Sequence, residues 1–381
     1  MKILALTLWI FTLLTFSTSR AYSASSPFDT PNNKIGIHIL SPLEINLASE
    51  MVNGNGGDWG YVVIPIQVRD KDLKKWQQFM DDARRLHVTP IIRIGTTSDY
   101  FNTVSWSKPS FYEIVDFANF LSSLDWPTKN RYIIVFNEPN RADEWGGNPS
   151  AQEYAEILDF TVDVFKSKSE DFFIISAGLD NASIDIEGKS INQYNFLRLM
   201  EQSIPGIFNK IDGMASHSYP NPGFKQSPFI STSRNIYSFS YEQDLIYSLS
   251  GRKLPIFITE TGWSAKELDK NAIKKYFEYA LNNVWIDNYI VTISPFLLQA
   301  SETYAEFSFV NSNERELFNL FQNMQKVKGE PFLSSLVDNV NILNSESPLQ
   351  DNNSIVPEPL KEESRIDLRP LGKITKWLLR I

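Results

Sequence analysis

The chain has 381 residues, 42% hydrophobic and 13% aromatic, with a formal net charge of −9 at pH 7. That is enough apolar material for one large α/β core, and the lack of a basic field excludes phosphate-backbone binding, so no nucleic-acid partner is expected. Cysteine is absent and the three histidines, His38, His87 and His217, are scattered, which excludes disulfides and thiolate metal sites and leaves neither a metal nor a cofactor to be expected.

Residues 1–24 read as a secretory signal: Lys2, then the apolar run Ile3 to Phe16, then small residues around Ala21 to Ala24. The run is shorter than the roughly 20 apolar residues a membrane-spanning helix needs, so the protein is expected to be secreted or held at the cell surface. From Lys34 onward apolar runs alternate with amphipathic stretches, the pattern of βα units. Strands are expected at Ile35–Leu40, Tyr61–Gln67, Thr89–Gly95, Tyr132–Asn137, Phe173–Gly178, Ile211–His217, Pro255–Glu260 and Ile290–Leu297. Helical spacing is visible at Asp72–Leu86, Ser110–Leu124, Ser150–Phe165, Asn192–Ser203, Tyr241–Leu249 and Leu268–Asn283. Repeated βα units of this kind predict an α/β fold, a (β/α)8 TIM barrel forming a single catalytic domain over residues 25–329. A doubly wound sheet fits less well, because the first βα turn is Ser41-Pro42-Leu43, without a glycine-rich phosphate loop. After Gly329 the periodicity fails. Residues 330–381 are expected to be a polar, proline-punctuated linker and a disordered C-terminal tail. Its last stretch, Leu368 to Ile381, carries Arg369, Lys373, Lys376 and Arg380, and reads either as a frayed end or as a short basic helix able to make peripheral membrane or surface contact. A monomer is expected.

Two stretches carry the chemistry. Tyr132-Ile-Ile-Val-Phe-Asn-Glu-Pro-Asn140 and Leu254-Pro-Ile-Phe-Ile-Thr-Glu-Thr-Gly-Trp263 are each an apolar, β-branched run ending in a glutamate, Glu138 or Glu260, followed by turn residues. Glutamates at the ends of two parallel strands are delivered to the same rim of a barrel, where catalytic residues collect. Cleaving a glycosidic bond needs such a pair, because one acid must protonate the leaving oxygen and a second carboxylate must face the anomeric carbon.

The Asn137-Glu138-Pro139 and Thr259-Glu260-Thr261-Gly262 motifs resemble the clan of retaining (β/α)8 glycoside hydrolases that includes families 5 and 39, over roughly residues 34–329. The stretch from Phe136 through Trp145-Gly-Gly into a helix bearing Tyr154 looks most like family 39. The resemblance implies that Glu138 is the acid/base and Glu260 the nucleophile. Two carboxyls set as close as retention requires take different protonation states. Asn137 is expected to hold the sugar 2-hydroxyl, the alternative being a cap on the turn. By the same resemblance, Tyr219 donates a hydrogen bond to Glu260, and His217 is either a rim residue near the acid/base or a structural histidine.

The chain departs from the clan in two places. The supporting arginine common on strand 2 is missing, and Arg93 on strand 3 is either its substitute or a structural ion pair, since a buried guanidinium needs a carboxylate. The tryptophan frequent on strand 8 is replaced by Phe296 and Gln299. Trp106, Trp145 and Trp263, with Tyr100 and Tyr304, fall in expected βα loops and are candidate platforms for sugar rings. Trp59 should lie at the opposite face, and Trp76, Trp126 and Trp285 read as packing residues. Together these readings describe an exported retaining β-glycosidase acting on a carbohydrate substrate, an oligo- or polysaccharide, by double displacement. The alternatives are a transglycosylase on the same scaffold and a non-catalytic carbohydrate-binding barrel, which would have no need of paired acids.

Overall fold

The apolar runs form eight strands in one sheet, paired in sequence order. They are β1 (Gly36–His38), β2 (Gly60–Gln67), β3 (Val88–Gly95), β4 (Arg131–Val135), β5 (Phe172–Ser176), β6 (Gly213–His217), β7 (Ile256–Glu260) and β8 (Ile290–Ile293). Every ladder is parallel, and a parallel bridge between Ile35 and Ile293 brings β8 back to β1. The result is a TIM barrel. The computed structural model describes residues 24–96, 105–300, 302–310 and 315–334; the expected signal, Tyr100 and the tail beyond Ser334 lie outside them. Among the described residues no helix is long and apolar enough to cross a membrane.

Helices alternate with the strands. Leu73–Arg85, Phe111–Ser122, Ala151–Lys168 and Lys270–Asn283 start where Asp72, Ser110, Ser150 and Asp269 accept a backbone N–H of the first turn, which satisfies donors that the helix itself cannot. The first connection also holds a helix, Ile45–Val52, that the sequence spacing did not reveal. Strands 1 and 8 are shorter than expected. Beyond Ile293 the backbone still bonds to both sides, Phe296 N to Thr261 O after β7 (2.9 Å) and Leu298 N to His38 O across the closure (2.9 Å), but no longer in ladder register. At the other end, Glu330 N donates to Pro31 O (2.9 Å) and Lys129 N to Phe332 O (2.8 Å), so residues 330–334, assigned from sequence to the linker, run across the barrel floor. Trp59 stacks there on His87, and Trp76, Trp126 and Trp285 are buried.

Strand alternation sorts the side chains into two cores. Tyr61, Val63, Ile91, Tyr132, Ile134, Phe173, Ile175, Ala215, Phe257 and Val291 fill the barrel, while Val62, Ile64, Ile92, Ile133, Ile174 and Ile256 pack outward against helices. One buried ion pair clamps the outer layer: Lys166 Nζ lies 2.8 Å from Asp212 Oδ2, and Ile174 N donates to the same oxygen at 2.8 Å. Breaking such a pair leaves a lone buried charge, at a cost of about 3–5 kcal/mol. Lys166→Met should therefore lower the melting temperature markedly. The loss should be smaller at acidic pH, because burial already raises the pKa of Asp212 and the unpaired carboxyl can take a proton; thermal melts at two pH values check this.

Candidate active site

Arg93 faces the barrel because it is two residues from Ile91, an inward residue of β3. Its Nη1 donates to Glu260 Oε1 at 2.5 Å and to Asn137 Oδ1 at 2.7 Å. The ion pair expected of a buried Arg93 is present, and its partner is Glu260 itself. Glu260 reaches the mouth by a different device. Ser216 pairs with Ile258 but His217 with Glu260, so Thr259 is an extra residue on β7, a bulge of the kind that re-aims the following side chain. Without it, the alternation that points Phe257 inward would turn Glu260 toward the helices.

At the end of β4 the chain leaves the strand through two left-handed residues, Phe136 (φ 69°) and Glu138 (φ 34°), conformations that cost a non-glycine residue energy and collect at functional sites. Consecutive strand residues face opposite sides; this break lets Asn137 and Glu138 both line the cleft. His217, two residues beyond inward Ala215, places Nδ1 2.8 Å from Glu138 Oε1, and the Tyr219 hydroxyl donates to Glu260 Oε2 at 3.1 Å.

Each of the two glutamates is only 7% exposed. Burial would raise the pKa of Glu260, but the charges of His217 and Arg93 outweigh it and hold the carboxyl well below the usual range. Burial likewise disfavours a charged ring on His217, yet Glu260 and the hydrogen-bonded Glu138 raise its pKa. His38, at the end of β1, is the opposite case. Burial first, then Arg93, push it down to about 3, so a neutral ring stands with Nε2 3.7 Å from Glu260 Oε1.

Arg93, Asn137, Glu138, Tyr219 and Glu260 line a cleft of about 790 Å³. Trp106 and Tyr304 are part of its wall and partly exposed, so both remain available to a sugar ring. Trp263 does not line it. That ring is buried against Tyr276, Phe277 and Trp285, and its Nε1 donates to Gln226 O; a tryptophan directly after a strand end points back into the helix layer as readily as outward. Trp145 borders the cleft but is 1% exposed, wedged edge-on between Phe136 and Tyr154, and offers no open face for stacking. Phe296 lines the cleft beside Phe224 and Phe307, whereas Gln299 is exposed away from it. Donor atoms of Glu138, His217 and Glu260 lie within 4.8 Å of one another, the spacing of a cation site. Guanidinium groups of Arg93 and Arg141 already bond the two carboxylates, however, and their charge opposes a metal ion there.

Sequence reasoning passed over Arg141, Glu144, Asp180 and His38. Asp180 follows the end of β5 and had the same strand-end signal as the two glutamates. Its carboxylate accepts from Ala182 N (2.8 Å) and Ser183 Oγ (2.7 Å). Arg141 Nη1 donates to Glu138 Oε2 at 2.8 Å. Burial, then the charge of Glu138, push Glu144 up to about 8.

No family model and no curated protein sequence matches the chain. Solved structures do share its architecture. A GH39 β-xylosidase from Caulobacter crescentus superposes with a TM-score of 0.53 at 15% identity, covering 82% of this chain and 75% of that one. A GH128 subgroup II endo-β-1,3-glucanase from Sorangium cellulosum gives 0.50 at 16%, covering 77% and 98%. A glucosidase from Croceicoccus marinus gives 0.53 at 7%, covering 77% and 67%. At these identities the likeness is one of fold, and the fold is the one that resemblance to the retaining glycoside hydrolase clan implies.

Two features behind the site can be tested. A Cβ on Gly178 would stand 2.1 Å from His217 Cδ2, so Gly178→Ala should displace the ring from Glu138. It should lower stability by about 1–3 kcal/mol and cut turnover by more than the stability loss explains; unchanged turnover would show that the placement of His217 is dispensable. Glu242, fully buried on helix Ser238–Ser250, accepts from Ser216 Oγ at 2.5 Å, and burial pushes its pKa from 4.5 to about 8. The folded state therefore holds this proton more tightly than the unfolded chain. Its stabilisation is complete below about pH 4.5 and is lost as pH rises toward 8. Glu242→Gln should flatten that decline in melting temperature, which a melt series across the window would show.

Proposed function

We propose that the protein is a retaining β-glycosidase that hydrolyses an oligo- or polysaccharide by double displacement, with Glu260 as nucleophile and Glu138 as acid/base. The observation that carries the reading is the separation of the two acids, whose nearest donor oxygens lie within 4.8 Å. Retention requires carboxyls about 5–5.5 Å apart, whereas inversion needs about 6.5–9.5 Å to admit a water between them. A carboxylate oxygen of Glu260 attacks the anomeric carbon as the glycosidic C–O bond breaks, and Glu138 gives its proton to the departing oxygen. Water then attacks the same carbon, its proton passes to Glu138, and the bond to Glu260 breaks.

Each neighbour supports a step. The lowered pKa of Glu260 keeps the nucleophile ionised, while Arg93 and Tyr219 fix one oxygen each. Asn137, held through its carbonyl by Arg93, is positioned for the sugar 2-hydroxyl. Trp106, Phe224, Phe296, Tyr304 and Phe307 supply apolar faces for sugar rings. Two of the structures of like fold are named for β-linked substrates, a β-xylosidase and an endo-β-1,3-glucanase, which agrees with a β-glycoside. Export belongs to the proposal and rests on Lys2 and the apolar run Ile3 to Phe16.

After a panel of aryl β-glycosides and plant, fungal and bacterial glycans identifies a substrate, Glu260→Ala should abolish turnover. Azide should rescue it with a product of inverted, α configuration. Glu138→Ala should lose about 10²–10⁴-fold on glycans, keep the first step on activated aryl glycosides, and yield a β-glycosyl azide. Near wild-type turnover of a glycan by both variants would refute the assignment.

A further inference from the structure

Both carboxylate oxygens of Glu138 are occupied: Oε1 accepts from His217 Nδ1 and Oε2 from Arg141 Nη1, each at 2.8 Å. The two donors differ in freedom. His217 is buried, its ring set against Gly178 so closely that even a Cβ there would collide with it. Arg141 stands on the cleft rim with its side chain 37% exposed. Its other donors grip Asp143, Nε to Oδ1 at 3.0 Å and Nη2 to Oδ2 at 2.5 Å. The guanidinium can thus release Glu138 through Nη1 and stay anchored through a two-pronged bond of the strong, charge-assisted kind.

An acid that protonates a leaving oxygen must present that oxygen with a carboxyl O–H. Oε1 is committed to a buried, closely packed ring, which leaves Oε2. We propose that Arg141 is a positioning residue for the acid/base: it holds the Glu138 carboxylate when no glycan is bound and yields Oε2 to the leaving-group oxygen by shifting wholly onto Asp143. The inference rests on the assignment of Glu138 as acid/base. Release of Arg141 bares Oε2, which takes up a proton from water. That proton goes to the leaving oxygen as the glycosidic bond breaks, and the restored carboxylate can rebind Arg141.

The charged and titratable groups around Glu138 come from every neighbouring strand end: Arg93 from β3, Asp180 from β5, His217 and Tyr219 from β6, Glu260 from β7, and Arg141 and Glu144 from its own loop. Only Arg141 is altered in the test. Arg141→Met and Arg141→Lys are compared with the wild type on a soluble β-1,3-glucan, on xylo-oligosaccharides and on 2,4-dinitrophenyl β-glucoside and β-xyloside. In Arg141→Met the alkaline limb of kcat/KM for the glycan should move to higher pH by about half a unit or more. Arg141→Lys should lie between it and the wild type. For the dinitrophenyl glycosides, whose leaving group departs without a proton, kcat/KM, which reports the first step alone, should change far less than for the glycan. Equal loss on both substrate classes with an unmoved pH limb would mean a merely structural role and overturn the inference. Glu138→Gln and Glu260→Ala run alongside. If they keep full turnover, or the wild type cleaves none of the probes, the assignment of the glutamates fails and this inference falls with it; if they lose turnover while Arg141→Met keeps the wild-type limb, only the inference about Arg141 is overturned.

Discussion

The contact of Arg93 with Glu260 is the constraint on which the barrel mouth depends. An ionised carboxylate this deeply enclosed costs several kcal/mol in lost hydration unless an opposite charge and hydrogen bonds replace the water. Arg93 supplies the charge through Nη1, which also holds Asn137, and Tyr219 supplies a hydrogen bond to the other oxygen. One guanidinium therefore ties the ends of β3, β4 and β7 together. The arginine comes from β3, while Pro65 and Gln67 of β2 line the same cleft.

The second acid is built on strain rather than on regular pairing. Phe136 and Glu138 are left-handed, and Glu138 N bonds Gly178 O at 3.1 Å, so the β4 loop is sewn to the end of β5. Asn140 extends the seam, its side chain accepting from Asp180 N and donating to Asp180 O. With His217 fixed against Gly178, the carboxyl of Glu138 is reached from one protein direction by a rigid donor and from the other by a movable one. Such an arrangement confines any freedom at the site to the rim, where Arg141 and Asp143 meet solvent.

The aromatic residues show where sequence reading stops short. Trp106, Trp145 and Trp263 carry the same signal, a tryptophan in a βα connection, yet only Trp106 keeps partly exposed surface in the cleft wall. Trp145 and Trp263 are wedged among Phe136, Tyr154, Phe277 and Trp285. A loop residue turns inward or outward according to the helices packed beneath it, and no local pattern encodes that. The cleft aromatics Phe224 and Phe307 have no periodic context; Phe224 meets Tyr219 within the connection after β6, whereas Phe307, in the connection after β8, reaches it only through tertiary packing.

By itself the sequence determined the eight βα units, their order and the strand ends at which Glu138, Glu260, Asn137, His217, Tyr219 and Arg93 are carried, because alternating apolar runs and helical spacing are local consequences of backbone geometry. Only the tertiary structure decided how these side chains meet. The bulge at Thr259 that turns Glu260 inward is invisible in a run reading Ile-Phe-Ile-Thr-Glu, since it is defined by what lies opposite on β6. The pairing of Arg93 with Glu260, the neutral His38 beside them and the hold of Arg141 on Glu138 likewise join residues far apart in the chain or across a turn. Coulomb and hydrogen-bond energies depend on distance and solvent exclusion in space, and closure of the barrel sets both.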